Sequence, residues 1–496
     1  MADPLILVLD AGTTSTRALV FDPQGAVVAS AAHPVTQHYP APGRVEQDAD
    51  EIWRLTRDAA ERAIADAGGA AGIAAIGIAN QRETILFWDR ISGAPLAPAI
   101  VWQDRRTAAT CRQLIEAGEE PGVQARTGLL LDPYFSATKI RWALDHWPAV
   151  AEAGERLAIG TVESWLVWKL TGGAHVTDAT NASRTLLMGL GSGAWDDGLV
   201  DLFGVPRRAL PAIIDSAGRC GETRLFGAPI PICGLAGDQQ AAAIGQACLK
   251  AGETKATFGT GAFILTHSGT TPPVSRHRLL STVAWQVAGT RAYALEGSIF
   301  VAGSLIQWLR DQMGLIEASA QTAGLAASVS DTGGVYCVPA LSGLGAPWWR
   351  PEARGAMTGL SFATGRAHLV RAALEAMAYQ AHDLKRAFAA DHADWATIRI
   401  DGGMASNDWM AQDLADMLAV PVERPAMVET TALGAAMLAA VGAGLYPSLP
   451  DAAAAMRGTA SRFTPMLDEE RRRERLTGWA AAVRSVLADP GGSALP

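Results

Sequence analysis

Two glycine turns in this 496-residue chain carry more hydroxyls than a turn needs. The first, Gly-Thr-Thr-Ser-Thr-Arg at 12–17, follows an apolar run that ends in Asp10. The second is Gly259-Thr260-Gly261, again between apolar runs, in TKATFGTGAFILTHSG. Successive backbone N–H groups in a tight glycine turn converge into a nest for an anion, and hydroxyls such as those of Thr13, Thr14 and Ser15 add donors. Two such turns, one from each half of the chain, could grip a polyphosphate from opposite sides. Asp10 then offers a hard oxygen to Mg²⁺, through water, and Arg17 neutralises phosphate oxygens. Taken singly, either turn reads more readily as plain hairpin chemistry. Their combination with the other motifs shifts that balance.

Other chemistries find little support. There is no Walker A loop, and GLGSGA at Gly189 does not open a clear βαβ unit, so it is set aside as a dinucleotide fingerprint. No Gly-x-Ser-x-Gly elbow is present. The five cysteines are scattered without Cys-x-x-Cys spacing, and the nine histidines form no His-Glu-x-x-His pattern. A disulfide framework and a zinc cluster are therefore not expected, and a reducing compartment fits best. The net charge of −9 does not suit a phosphate backbone, so nucleic acid is not an expected partner. The N-terminus lacks a basic region followed by an apolar stretch, and no apolar run reaches membrane-spanning length. A soluble, cytoplasmic protein without membrane insertion is expected.

The turns need strands to aim them. Periods of two and of 3.6 alternate throughout, which predicts an α/β protein. Leu5–Asp10, Ala18–Phe21 and Val27–Ser30 read as a strand meander, followed by a helix from Asp48 or Asp50 to about Ala67. Strands Ile73–Ile78 and Thr84–Trp88 flank the polar turn ANQRE, and helices follow near Arg105–Ala117, Ser136–Trp147 and Val162–Leu170. The pattern then restarts. Strand Pro231–Leu235 leads through AGDQQ into a helix over Ala241–Leu249, and the Gly-Thr-Gly hairpin follows. Strand Thr397–Ile400 runs into DGGMASN and a helix to about Leu418. ALGAAMLAAVGAGLY reads as a closely packed internal helix, and the tail as a terminal helix with Trp479, Val483 and Leu487 facing the core. Two domains of similar size, joined near residue 245, are expected.

The motifs DAGTTSTR, NQRE, VWQDRRT, DPYFS, TNASRT, GDQQ, FGTG, ALEGSIF, GLGAPWW, DGGMASN and ERP…ETTALGAA occur in one order from residue 10 to about 436. Each is short, but together they resemble the FGGY family of carbohydrate kinases, and within it the members that phosphorylate glycerol. The resemblance implies two ribonuclease-H-like domains of the actin, hexokinase and Hsp70 ATPase superfamily, with the active site in the cleft between them. Residues 1–245 would hold the polyol and the first phosphate loop, and 246–496 the second loop and the adenine. It implies ATP and Mg²⁺ as cofactors. For ATP it implies Thr13, Thr14, Ser15 and Arg17 in the first loop and Thr260 in the second. Gly303 and Gln307 are implied nucleotide contacts, and Gly403 with Asn407 the adenine site. Read by itself, DGGMASN is a strand-turn-helix connection with an Asp at the helix start.

For the substrate, the resemblance implies Arg82, Glu83, Tyr134, Asp238 and Gln239. Arg donates twice, Glu accepts and Tyr does either, so the set can satisfy the hydroxyls of a three-carbon polyol. Trp102 and Phe263 would pack on its carbon backbone. Plain alternatives exist: an ion pair on a turn for Arg82 and Glu83, an interior tyrosine, a core tryptophan. Asp238 is implied as the general base that takes the proton when a primary hydroxyl attacks the γ-phosphorus, and with Asp10 as an oxygen donor to Mg²⁺; its plain alternative is a helix N-cap. The implied activity is ATP-dependent phosphorylation of glycerol to sn-glycerol 3-phosphate, by a homo-oligomer, dimer or tetramer. A sibling activity on erythritol, dihydroxyacetone or xylulose is the nearest rival, and an actin- or Hsp70-like ATPase a more distant one. Ala11 stands where Gln is usual in such kinases, Glu163 where Asp is usual, and FGTG replaces YGTG. The short stretch 221–232 lacks the Gly-rich segment that forms an inhibitory sugar-bisphosphate site in some bacterial relatives and the phosphorylatable histidine of others, so neither form of regulation is expected.

Overall fold

The computed structural model describes residues 4–350 and 352–488. The opening meander is β1 (Leu5–Ala11), β2 (Ser15–Phe21) and β3 (Val27–Pro34), antiparallel throughout. On the other side of β1 lies β4 (Ile73–Asn80), parallel to it, and then β6 (Ile230–Gly237), parallel to β4. Strand β5 (Ala217–Thr223) closes this half, antiparallel to β6. Strands β1, β4 and β6 are buried on both faces and read as near-continuous apolar runs for that reason.

The second half repeats the plan. Strand β7 (Glu253–Phe258) pairs with β8 (Ala262–Gly269), which pairs with β10 (Thr290–Ile299), all antiparallel, and β9 (Leu280–Val287) lies beyond β10. Strands β11 (Thr397–Asp401) and β12 (Val422–Pro425) add parallel to β7, and β13 (Ala460–Phe463) forms the far edge. Both halves thus share an antiparallel set that ends on the half's first strand, followed by two parallel strands, although β10 takes the place of β3 in the second half with β9 beyond it; the weak sequence identity between halves does not reveal this likeness. The two sheets join into one of thirteen strands where Ala217 on β5 faces Val287 on β9.

Helix α1 (Ala49–Asp66) starts at Asp48, whose carboxylate accepts the N–H groups of Asp50 and Glu51, and it buries Ile52, Ala59 and Ala63. Helix α2 (Asp238–Gly245) begins three residues earlier than the sequence pattern predicts and stops sooner. Gly237 ends the strand and the helix follows without a loop; it breaks where Ala247 takes φ +59°. The remaining helices that bear on the site are α3 (Gly303–Asp311), α4 (Asp408–Leu418) and α5 (Thr430–Gly442). The terminal helix α6 (Glu469–Leu487) buries Trp479 and Val483, with Leu487 half-buried against the same core.

Helix α5 is the internal helix expected from its Ala and Gly content. Although it belongs to the second half, it packs on α2 and on β1, β4 and β6, where Leu433, Ala436, Met437 and Ala440 meet Ile6, Val8, Ala79 and Ile244. The approach is close enough that a Cβ on Gly434 would lie 1.8 Å from the Ala241 carbonyl oxygen. A second, four-stranded sheet (Glu46–Gln47, Ile85–Asp89, Ala99–Ile100 and Leu157–Thr161) is attached to the first half and leads the chain to Trp102. Beside it, the unusual Glu163 is fully buried. Burial pushes its carboxyl up to about 7, against hydrogen bonds to one of its oxygens from Thr161 and Thr177, both 2.6 Å.

Candidate active site

Arg82 and Glu83 occupy a three-residue turn at the end of β4, closed by the Thr84 N–H to the Arg82 carbonyl at 2.8 Å. Glu83 sits at φ +62°, a left-handed backbone uncommon for a residue with a side chain and a form of strain that gathers at functional positions. Both side chains are buried. Arg82 gives two N–H groups to Glu296 on β10, at 2.6 and 3.2 Å. Glu296 also takes an N–H of Arg184 at 2.9 Å, and Arg184 in turn holds Glu83 at 2.6 Å. Four buried charges thus alternate across the two halves. Burial raises the Glu296 carboxyl, but Arg184 and Arg82 outweigh it and hold the group at about 2. Glu83 is raised by burial, with Arg82 and Arg184 opposing.

The longer contacts of Arg82 point to the expected polyol residues: the Tyr134 hydroxyl at 3.3 Å, and the Asp238 carboxylate at 3.4 Å from Nε. These weak contacts are the ones a substrate hydroxyl can replace, whereas the short bonds to Glu296 lock the guanidinium plane. Glu83 takes the Arg184 N–H through Oε1, and its second oxygen, Oε2, is a further acceptor. Trp102 stands edge-on to Tyr134, 5.7 Å between centroids, and to Phe263, 6.4 Å. The three rings form apolar walls beside the charged floor.

Asp238 is the first residue of α2, with Gly237 in the cap position, so the N-cap alternative does not hold. Its carboxylate accepts the N–H of Gln239 at 2.7 Å, and its side chain remains 30% exposed to the cleft. Burial raises its pKa, Arg82 and Lys255 oppose, and Asp10 raises it further. Asp10 lies at the end of β1, itself raised by burial against the pull of Arg17. Arg17 bridges Asp10 and Glu429 at 2.5 Å each. Of these two partners Glu429 is 31% exposed and Asp10 5%.

Thr13 is tied to the ring wall, since the Trp102 indole N–H donates to its hydroxyl at 2.9 Å, while Gln47 donates to its carbonyl at 2.6 Å. Thr14 is exposed and Ser15 half-buried at the start of β2. The Trp102–Thr13 bond yields a test: Trp102→Phe keeps a ring in the pocket wall but removes the N–H. The expected result is a KM for the expected nucleotide, ATP, raised about three- to tenfold, with the KM for the expected polyol within about twofold, the size of one hydrogen bond. Steady-state kinetics with each substrate varied in turn checks it, and an unchanged ATP KM would break the link.

The other expected nucleotide residues share one cavity of about 610 Å³ in the second half. Thr260, Gly303, Gln307, Gly403 and Asn407 all line it, with Phe258, Ile306, Leu374 and Met404 as apolar walls. Gly303 starts α3 against the second turn; a Cβ there would lie 2.5 Å from the Gly259 carbonyl oxygen. Gly403 is exposed, and a Cβ there would meet nothing within 4 Å. Asn407, not the following Asp, caps α4, accepting the Met410 N–H at 3.1 Å, and donates to Thr322 at 3.1 Å. A neighbouring cavity lined by Arg17, Asp401, Gly403 and Glu429 connects this region to the first turn.

Sequence reasoning assigned no role to Glu296, Arg184, Lys255 or Glu429. A lone charge inside an apolar strand, as in ALEGSIF, is the signal that marks Glu296, but only the fold supplies its partners.

The chain can be set beside known proteins on these features. Residues 5–245 match the N-terminal domain of the FGGY family of carbohydrate kinases, and residues 254–443 its C-terminal domain. A glycerol kinase of Methylobacterium nodulans is 54% identical, over 98% of this chain and 99% of that protein. One of Rhodospirillum centenum is 53% identical, over 97% and 98%. Among solved structures, the glycerol kinase of Plasmodium falciparum with ADP superposes with a TM-score of 0.94 at 34% identity, covering 98% of this chain and 99% of that one. Matched along both halves of its thirteen-stranded sheet, with a charged, ring-walled pocket beside a nucleotide-sized cavity, this chain belongs to the FGGY family of carbohydrate kinases.

Proposed function

We propose that this protein transfers the γ-phosphoryl group of ATP to glycerol, giving sn-glycerol 3-phosphate and ADP, with Asp238 as general base. The observation that carries the reading is the small, ring-walled pocket floored by Arg82, Glu83 and Asp238, next to a cavity large enough for a nucleoside. Full-length identity above 50% to several glycerol kinases supports the choice of glycerol.

In this reading Arg82, fixed by Glu296, donates to one hydroxyl and Glu83 accepts from another. Tyr134 and Gln239 orient the third, and Trp102 and Phe263 cover the carbons. Asp238 receives the proton of the attacking hydroxyl. Burial raises its pKa, which makes it a better proton acceptor than an ordinary carboxylate. Thr13, Thr14, Ser15 and Arg17 face the phosphates from one side and Thr260 from the other. Gly303, Gln307, Gly403 and Asn407 hold the rest of the nucleotide. Phosphoryl transfer asks little covalent work of a protein, so placement and charge compensation dominate.

Mg²⁺ fits the donor set. Asp10 and Asp238 are hard oxygen donors whose charges oppose one another, a pairing that a divalent ion relieves. Among the described residues no group of three or more His, Cys, Asp or Glu side chains converges on a metal, so phosphate oxygens and water would complete the shell. Bound there, the ion would neutralise charge on the transferring phosphate.

The remaining parts of the proposal are a division at residues 1–245 and 246–496, a cytoplasmic location and a dimer or tetramer. No helix of the described residues is long and apolar enough to cross a membrane. A panel of glycerol, erythritol, dihydroxyacetone and xylulose assayed with ATP tests the function. Glycerol should have the highest kcat/KM by at least about tenfold, given that a site built for particular hydroxyls discriminates strongly; preference for a four- or five-carbon substrate would replace it with a sibling activity. Sedimentation would report the oligomeric state, and a monomer at working concentration would remove that part.

A further inference from the structure

Lys255 lies on β7, the strand that delivers the second glycine turn. Its side chain is fully buried, an uncommon place for an ammonium, which demands compensation from its surroundings. Asp401, Asp238 and Glu296 supply negative charge around it, and Arg82 lies on the same floor. Its hydrogen-bond partner is the side-chain oxygen of Gln239, which belongs to α2 in the other half. Lysine can only donate, so the amide oxygen of Gln239 must be the end that faces it. The NH₂ end is then turned away from the lysine. Gln239 is also the residue whose backbone N–H holds the Asp238 carboxylate.

We propose that Lys255 is a positioning residue for phosphoryl transfer: reaching across from the second half, it holds the Gln239 amide oxygen and so presents its NH₂ to a polyol hydroxyl. This rests on the reading of Asp238 and Gln239 as the polyol-facing start of α2. It gives the strand of the second phosphate turn a direct hold on the residue next to the base. The orientation is also a specificity device. The Gln239 NH₂ donates to a substrate oxygen, whether hydroxyl or carbonyl, only where that oxygen lies in reach of the fixed amide.

Two variants test it. Lys255→Met removes the ammonium but keeps an unbranched buried side chain. Gln239→Glu keeps an oxygen on Lys255 and replaces the NH₂ by a second oxygen. Each is expected to raise the KM for glycerol about tenfold or more, with the KM for ATP within about twofold, the scale of one lost hydrogen bond in a desolvated site. Lys255→Arg, which can still donate to the amide oxygen, is expected to recover part of the loss. In the double variant of Lys255→Met with Gln239→Ala, the loss should not exceed that of Gln239→Ala alone, because the lysine acts through the glutamine. A purely structural lysine would lower thermal stability without separating the two KM values, and its effect would multiply with that of Gln239→Ala. Wild-type KM for glycerol in Gln239→Glu, or multiplying losses in the double variant, overturns the inference. If Lys255→Met does not fold, Lys255→Arg decides: a glycerol KM raised apart from the ATP KM supports the inference, and both KM values unchanged or raised together overturn it. Asp238→Asn, measured alongside, separates the failures: full turnover there sinks the base assignment, whereas a crippled Asp238→Asn with normal glycerol KM in Gln239→Glu sinks only the role of Lys255.

Discussion

Asp238→Asn is expected to lower kcat by about 10² to 10⁴, the range that a positioned base contributes, with nucleotide affinity within about threefold of wild type. The asymmetry follows from place. Asp238 opens α2 on the polyol side of the cleft, whereas the nucleoside cavity is lined from β7, α3 and the start of α4. Asparagine keeps the shape and can still accept an N–H from Gln239, so the fold should hold. What it loses is the charge that receives a proton. Turnover by rapid quench and ATP binding by calorimetry give the two numbers. Near-normal turnover would show that the hydroxyl can lose its proton elsewhere, and the mechanism would reduce to placement alone.

The second large effect concerns Glu296→Gln. Glu296 receives Arg82 and Arg184 together, both fully buried, so removing its charge leaves two guanidinium groups facing Glu83. Breaking one member of such a buried set costs about 3–5 kcal/mol, and the KM for glycerol should rise at least about tenfold because Arg82 loses the bonds that fix its plane. A pH signature accompanies it. The folded-state pKa of Glu296 is depressed to about 2 from an ordinary 4.5. Its stabilising contribution is therefore whole above about pH 4.5 and drains away as pH falls toward about 2. Thermal unfolding of wild type against pH should show that acid-side loss, and the glutamine variant should lack this part of it. Equal melting temperatures at neutral pH would mean the four charges do not act as a unit.

How much of this was legible beforehand varies from residue to residue. The hairpins around Thr13 and Thr260 are local events, written in apolar alternation broken by glycine, and the structure has them at the expected places. The start of α1 was equally readable, because an Asp before an apolar 3.6 pattern is itself a start signal. The start of α2 was not. The pattern placed it at Ala241, because Asp238, Gln239 and Gln240 are polar, yet those residues are helical and partly or wholly buried since they floor a cleft. Polarity there reflects the site and not the surface. Glu296 and Arg184 were invisible for another reason: they are 112 residues apart, and nothing local in either segment announces the other. The repeated sheet order was hidden too, since strand order depends on which apolar runs pair, and many sequences satisfy the same pairing.

Helix α5 carries a lesson for anyone who would divide the protein. A cut after residue 245 looks natural on paper, yet the stretch that plugs the first sheet is supplied some two hundred positions later. A fragment ending at the cut keeps a greasy trench where α5 belongs, and such trenches promote clumping. Fusion partners, split reporters and truncations therefore do best when they leave that late segment in reach of the early one.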